Sequence, residues 1–577
     1  MSASEGVNKM PKIEVDQKSL HRYAGYAPSL ADLEAILPVV KGEVDGINEE
    51  TGLLKLEFND TNRPDLWSTA GAGRALRVYR GAKAPVYNFF STKNKVLDHG
   101  SREVHVESSV QGIRPFIAAF GVSGKTIDED SLRDIIQTQE KLCWNFGQKR
   151  KSIAMGVYRS SLVQFPVKYS GAHPDSTRFV PLGMEESLSL REILKKHPKG
   201  QEFGHIVANL PVFPYLTDAK GDTLSFPPVI NSARLGAVEA GDKELFVELT
   251  GTSLPSLVLA AGLVACDLAD AGFTIHPVKV IYPFDTPFGR EITTPFYFQE
   301  PVTTHSNAVN KLLGENLSIS EMQDALGRMG VNSTVKGEEI TVTPPEYRND
   351  FLHPVDIMED VMVGRGLHTF EPILPRDSTV GRLTPEEIFG RRAKDLMIGL
   401  GYQEMIYTYL GSGKDYIEKM NIDGSQVVQI MNPMTENYEF VRNSILPSLL
   451  GSEAVCGHVS YPHAIFEVGK VAFLYDQDPS GTTSRNTLGF LTADKEAGFN
   501  QVNSQVSAIL YYLNREYTLA EATDPRFIPG RCAVIQVKGQ TVGIFGEIHP
   551  QVLENWGVSV PCAGGDLDLD LLLKATP

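Results

Sequence analysis

The sequence predicts an α+β protein of several domains. A chain of 577 residues exceeds what one hydrophobic core usually supports, so roughly three to five domains are expected. Short strand-like and helix-like segments are mixed along it, and charged or proline-marked passages around 93–102 and 281–288 break the pattern. Hydrophobic residues make up 42% of the chain, yet no apolar run of about eighteen residues occurs, so the chain reads as soluble with no membrane association.

In chain order, residues 1–9 are polar and lack an apolar signal core, which predicts a disordered leader. Residues 10–90 mix short strands with a helix entered near Arg63-Pro64-Asp65. Pro64 suits the entering turn, and Leu66, Ala70, Gly73 and Leu76 give the helix a packing face, so the Asn59 to Asp65 run reads as structural. Residues 91–283 form an α+β segment. It has strands such as 116–122 and helices over 130–146 and 254–271, the second with Ser253 as its cap and Pro255 in its first turn.

The linker 281–288 leads into residues 284–377, where a helix over 318–329 carries Met322, Leu326 and Met329 along one side. A strand over 339–343 and a second, acidic helix follow, which suggests a small winged or helix-turn-helix-like module. Residues 378–577 open with a helix from Pro385 to Leu400, ended by Gly401, and continue as β-rich segments.

Charge and cysteine usage bound the function. The chain has 54 Lys plus Arg against 71 Asp plus Glu, a net charge of −17, so it should not clamp a nucleic acid over a large surface without a partner supplying basic surface. Lys149-Arg150-Lys151 and Arg391-Arg392 are local basic clusters that could touch a phosphate backbone, but a solvated charge run is the commoner meaning. Cys143, Cys266, Cys456, Cys532 and Cys562 lie far apart with no CxxC pair. That argues against a zinc knuckle or disulfide framework and for a reducing cytoplasm.

Two groups of residues could carry chemistry. In the middle segment, Asn231, Glu248, Thr250 and Thr252 are polar positions beside Gly251, and Phe226-Pro227-Pro228 stiffens the approach. Such donors and acceptors suit an amino acid's polar groups, or else Thr250-Gly251-Thr252 only ends a buried strand. No nucleophile-and-base pair is evident, so any hydrolysis would rest on positioning water. In the second group, Pro354 suits a first helical turn and places Asp356, Glu359 and Asp360 at i, i+3 and i+4 beside Asp350. Like charges at that spacing repel. A divalent cation or a partner's arginine would relieve them, and a solvated acidic face is the plain alternative.

The run Asp350, Asp356, Glu359-Asp360 resembles the acidic signature of phenylalanyl-tRNA synthetase beta subunits in their shorter archaeal and eukaryotic-type form. Further segments agree in the same order: residues 57–66, Phe226-Pro-Pro-Val-Ile-Asn-Ser232, Thr250-Gly-Thr252, Asn432-Pro-Met434, Arg442-Asn-Ser-Ile-Leu-Pro-Ser448, Phe466-Glu-Val-Gly469 and Gly546-Glu-Ile-His-Pro550. The resemblance runs from about Met10 to the C-terminus.

It implies an editing-type domain at 91–283 that hydrolyses tyrosine wrongly joined to phenylalanine tRNA, with Asn231, Glu248, Thr250 and Thr252 lining the pocket. It also implies Mg²⁺ held by Asp350, Asp356, Glu359 and Asp360, and an alpha subunit that holds ATP and phenylalanine in a heterotetramer of two alpha and two beta chains. Residues 378–577 resemble the antiparallel core of class II synthetases without its chemistry. No Arg-x-Glu occurs in 380–577, Gly546 to Pro550 lacks the expected arginine, and Gly411-Ser-Gly-Lys414 has the wrong spacing for a phosphate loop. The chain departs from the family at 364–370 and at 156–161, where an acidic pair is usual. A free-standing aminoacyl-tRNA hydrolase or RNA-binding adaptor is the competing expectation, disfavoured by so long a decayed synthetase core.

Overall fold

The computed structural model describes residues 11–60 and 62–575, so the expected leader lies outside the described residues. The chain divides between Ile373 and Leu374 into two units.

The N-terminal unit is organised by a strand that is buried along its whole length, Leu245–Gly251. A strand covered on both faces needs a nearly continuous apolar run, and Leu-Phe-Val-Glu-Leu-Thr-Gly supplies one with two polar exceptions. It pairs antiparallel with Phe116–Ser123 on one side and Ile153–Arg159 on the other, within a ten-stranded sheet. Helix Leu254–Asp270 packs on this sheet through Leu257, Ala261, Val264 and Ala265. Pro255 lies in its first turn as expected, but Ser253 makes no capping bond. Its hydroxyl sits 3.2 Å from Ser256 Oγ instead.

The helix expected over 130–146 is α-helical only through Glu129–Lys141 and then widens into a π turn, Leu142–Phe146. Arg63-Pro64-Asp65 begins a 3₁₀ turn, Pro64–Leu66, and Ser68 caps the helix Thr69–Tyr79 that follows. Arg63 and Asp65 form a buried ion pair at 2.8 Å, which gives that run a structural role. One core joins Ile13, Leu56 and Leu76 to Val104, Phe120, Leu249 and Val280, so the loop around 93–102 interrupts the surface and not the core.

Residues 302–365 have a core of their own, built from Val309, Met322, Leu326, Ile340, Ile357 and Val361. A three-stranded antiparallel sheet (Val302–His305, Glu339–Thr343, Asn332–Lys336) carries helices Ser306–Leu313, Ile319–Arg328 and Pro354–Arg365.

In the C-terminal unit, helix Pro385–Gly399 precedes a seven-stranded sheet. Its long central strands His463–Leu474, Thr482–Ala493, Cys562–Asp568, Gln540–Ile548 and Phe527–Val537 are antiparallel, as expected. Only the edge strand Gln403–Glu404 runs parallel to its neighbour. Among the described residues no helix is long and apolar enough to cross a membrane.

Candidate functional site

Strand Leu245–Gly251 fixes the first site. Residues two apart share a face, so Glu248 and Thr250 project together. Glu248 lies in register with Gly156, and the missing side chain there makes room for a carboxylate. A Cβ at Gly156 would stand 2.5 Å from Glu248 Oε1 and 2.1 Å from the Tyr158 hydroxyl. That hydroxyl donates to Glu248 Oε1 at 2.8 Å and lies 3.5 Å from Asn231 Oδ1. Ser225, in register with Asn231, adds a buried serine beside it.

Burial pushes the Glu248 carboxyl up to about 7, against the opposing pull of the Tyr158 hydrogen bond and the Arg114 charge. Burial and then the neighbouring Glu248 push the Tyr158 phenol well up, which keeps it a donor. Glu248 Oε2 is buried without a hydrogen-bond partner. Leaving such an acceptor unpaired costs stability that a ligand's donor would restore.

Thr250 has a different neighbour. Arg114 donates from Nε to Thr250 Oγ1 at 3.0 Å and from Nη2 to its carbonyl at 2.6 Å. The structure therefore brings Asn231 and Glu248 together through Tyr158 and sets Thr250 two residues along the same face. Thr252 lies beyond the strand end and is exposed, its N–H donating to Ser152 O at 3.1 Å, so it does not join them. Arg114 and Tyr158 are the participants that sequence reasoning missed.

The acidic stretch folds as the pattern predicts, with Pro354 opening helix Pro354–Arg365, but its four carboxylates do not converge within this chain. Arg348 is the reason. Its guanidinium donates to Asp350 at 2.9 and 2.6 Å and to Asp360 at 2.6 and 3.0 Å, taking up two of the four. Burial pushes the Asp350 carboxyl up, but the Arg348 and Arg63 charges outweigh it and hold it at about 2.

Asp356 Oδ2 accepts the backbone N–H of Leu352 and His353 at 2.7 and 2.6 Å, which caps the helix. Glu359 Oε1 accepts from Lys41 Nζ at 2.7 Å. Among the described residues no cluster of three or more His, Cys, Asp or Glu is placed to hold a metal. Asp356 and Glu359 are half-buried, and the hydrogen bonds to each end on a single oxygen.

In the C-terminal unit every arginine beyond Gly401 has a partner within the chain. Arg442 is fully buried and donates to Glu467 at 2.6 and 2.9 Å, and a Cβ at Gly469 would fall 2.2 Å from its Nη2. The segments Arg442 to Ser448 and Phe466 to Gly469 thus meet through one ion pair. Arg526 faces Asp524 at 2.8 Å, Arg531 faces Glu547 at 2.6 Å and Arg485 faces Asp568 at 2.7 Å. Arg515 donates to the carbonyls of Leu572, Leu513 and Asn514. Arg442 is buried and Arg526 largely buried in these pairs, whereas Arg485 and Arg531 make theirs at the surface.

Comparisons with known proteins agree with both units. The family model of the phenylalanyl tRNA synthetase beta chain CLM domain matches residues 371–569, and that of the tRNA synthetase B5 domain matches residues 302–367, the module with its own core. The chain is 45% identical over 567 residues to the phenylalanine–tRNA ligase beta subunit of Borrelia recurrentis, covering 98% of this chain and 100% of that one. The Borreliella burgdorferi (strain ZS7) beta subunit matches equally, 45% over 567 residues with 98% and 100% covered. The crystal structure of an N-terminal fragment of the phenylalanyl-tRNA synthetase beta subunit from Pyrococcus horikoshii is similar with a TM-score of 0.58 and 34% identity, over 62% of this chain and 100% of the fragment. This chain belongs to the family of phenylalanine–tRNA ligase beta subunits.

Proposed function

We propose that this chain works beside an alpha subunit that holds ATP and phenylalanine, and that its own chemistry is hydrolysis of tyrosine wrongly attached to phenylalanine tRNA. The observation that carries the editing role is the buried, unpartnered Oε2 of Glu248. A tyrosine phenol can donate to it and phenylalanine cannot, and a site built around a hydroxyl rejects the analogue lacking one strongly. Tyr158 holds the other oxygen, and Asn231 offers amide and carbonyl groups to the amino acid. Water attacks the ester, positioned rather than activated by a strong base.

The same reading assigns residues 91–283 as the editing-type domain and 284–377 as a winged-helix-like module. Residues 378–577 become a class II synthetase-like domain without catalysis. The buried ion pair of Arg442 and the largely buried one of Arg526, with the missing Arg-x-Glu, support leaving ATP to the alpha subunit. A cytoplasmic heterotetramer of two alpha and two beta chains on phenylalanine tRNA also explains how an acidic chain serves an RNA enzyme.

Magnesium takes oxygen ligands, keeps several waters and needs only one or two carboxylates. Asp356 and Glu359 suit that role, with Asp350 and Asp360 fixed behind them by Arg348. The ion would supply positive charge at a junction with the alpha subunit.

Pyrophosphate exchange with ATP and phenylalanine tests the division of labour. The purified chain alone should form no aminoacyl-adenylate, while the complex with its alpha subunit charges phenylalanine tRNA. Adenylate made by this chain alone contradicts the proposal.

A further inference from the structure

Beyond the π turn Leu142–Phe146, Gln148, Lys149 and Arg150 take φ values of 50°, 54° and 67°. Three successive residues with side chains in the left-handed region are costly, and persist where surrounding bonds impose them. Here the Lys149 and Arg150 N–H groups donate to the carbonyls of Trp144 and Cys143, both at 2.8 Å.

The turn presents an aromatic face to solvent. Trp144 is 45% exposed, whereas Trp67 is 2% exposed. Lys149 Nζ lies 5.1 Å from the Trp144 ring centre. Lys149 and Lys151 are exposed, and no ion pair reaches either among the described residues, in a chain whose net charge is −17.

Two arginines join this turn to the candidate site. Arg114, which holds Thr250, also donates from Nη1 to the carbonyls of Arg150 and Lys151 at 3.2 and 3.0 Å. Arg150 donates to the carbonyls of Pro228 and Val229 at 3.1 and 3.0 Å, on the segment leading to Asn231. The turn is therefore tied both to Thr250, through Arg114, and to the segment before Asn231, through Arg150.

We propose that Trp144, Lys149 and Lys151 form a landing platform for the unpaired 3′ end of the tRNA, stacking one base on the indole and pairing phosphates with the lysines. The proposal rests on the editing reading for its placement. Aromatic faces beside cations are the usual means of holding single-stranded nucleic acid, and they tolerate any base. Exposed lysines without a carboxylate partner release counterions on binding phosphate, which makes the interaction salt-dependent.

The test uses the complete complex. With tyrosyl-tRNA as substrate, Trp144→Ala should raise the KM for hydrolysis about tenfold with kcat near wild type, and Trp144→Phe should restore it to within about twofold. Lys149→Ala combined with Lys151→Ala should raise KM severalfold and flatten its dependence on salt. Phenylalanine charging should be unchanged in all three. Tryptophan fluorescence, titrated with uncharged phenylalanine tRNA, should be quenched more in wild type than in Trp144→Phe. That difference should vanish with tRNA lacking its unpaired 3′ nucleotides. Wild-type KM in Trp144→Ala and in the lysine double variant, or a fluorescence difference that persists with shortened tRNA, overturns the platform. A wild-type complex that hydrolyses no tyrosyl-tRNA defeats the editing reading instead, and the fluorescence comparison then decides the platform by itself.

Discussion

Burial holds the Glu248 carboxyl at about 7 in the folded chain, above its ordinary value of 4.5. Between those values the folded state keeps a proton that the unfolded chain releases. The contribution to stability is therefore complete below about pH 4.5 and is lost as pH rises through about 7, on the order of 2–3 kcal/mol. Glu248→Gln cannot titrate. Urea unfolding of both proteins should show the stability of wild type relative to Glu248→Gln falling by about that amount between pH 4.5 and 8, and a constant difference contradicts the burial argument.

At this scale the sequence was partly legible. Glu248 and Thr250 stand out as two polar residues two apart in an apolar run, and the structure puts both on one face. Tyr158 and Arg114 gave no such signal, because they reach Glu248 and Thr250 from 90 and 136 residues away. Thr252 continues the alternation on paper but lies past the strand end, where pairing no longer sets its direction.

Among elements, strand Ile153–Arg159 earns its place by what it lacks. Gly156 faces Glu248, and a methyl group there would collide with both the carboxylate and the Tyr158 hydroxyl. Gly156→Ala should cost about 1–3 kcal/mol of stability and most of the tyrosyl-tRNA hydrolysis. Denaturation and deacylation assays check this, and a variant hydrolysing at the wild-type rate contradicts the pocket's geometry.

Helix Pro354–Arg365 was legible from Pro354 and the spacing of its acids, whereas the relief of their repulsion was not. Arg348 lay within the same stretch, but a chain folding back to bind Asp350 and Asp360 at once leaves no periodic trace. Lys41 comes from 318 residues away. Under the magnesium proposal, chelator should loosen the complex of wild type with its alpha subunit. Asp356→Ala combined with Glu359→Ala should be looser already and indifferent to chelator. Analytical ultracentrifugation reads this, and a double variant as tight and as chelator-sensitive as wild type contradicts it.

On the scale of the whole molecule, the chain divides between Ile373 and Leu374, where a proline-containing irregular segment separates two sets of cores. Apolar residues on both sides of the loop near residue 90 are buried in one core. No periodicity within either segment could reveal that shared burial.

Under the proposed division of labour the N-terminal unit edits while the alpha subunit charges, so a single substitution should separate the two activities. In the complete complex, we would measure tyrosyl-tRNA hydrolysis and phenylalanine charging side by side for wild type and Glu248→Ala. Hydrolysis should fall by about tenfold or more, while charging stays within about twofold of wild type. Equal losses in both activities would make Glu248 a folding residue, and a wild-type complex unable to hydrolyse tyrosyl-tRNA would contradict the editing role outright.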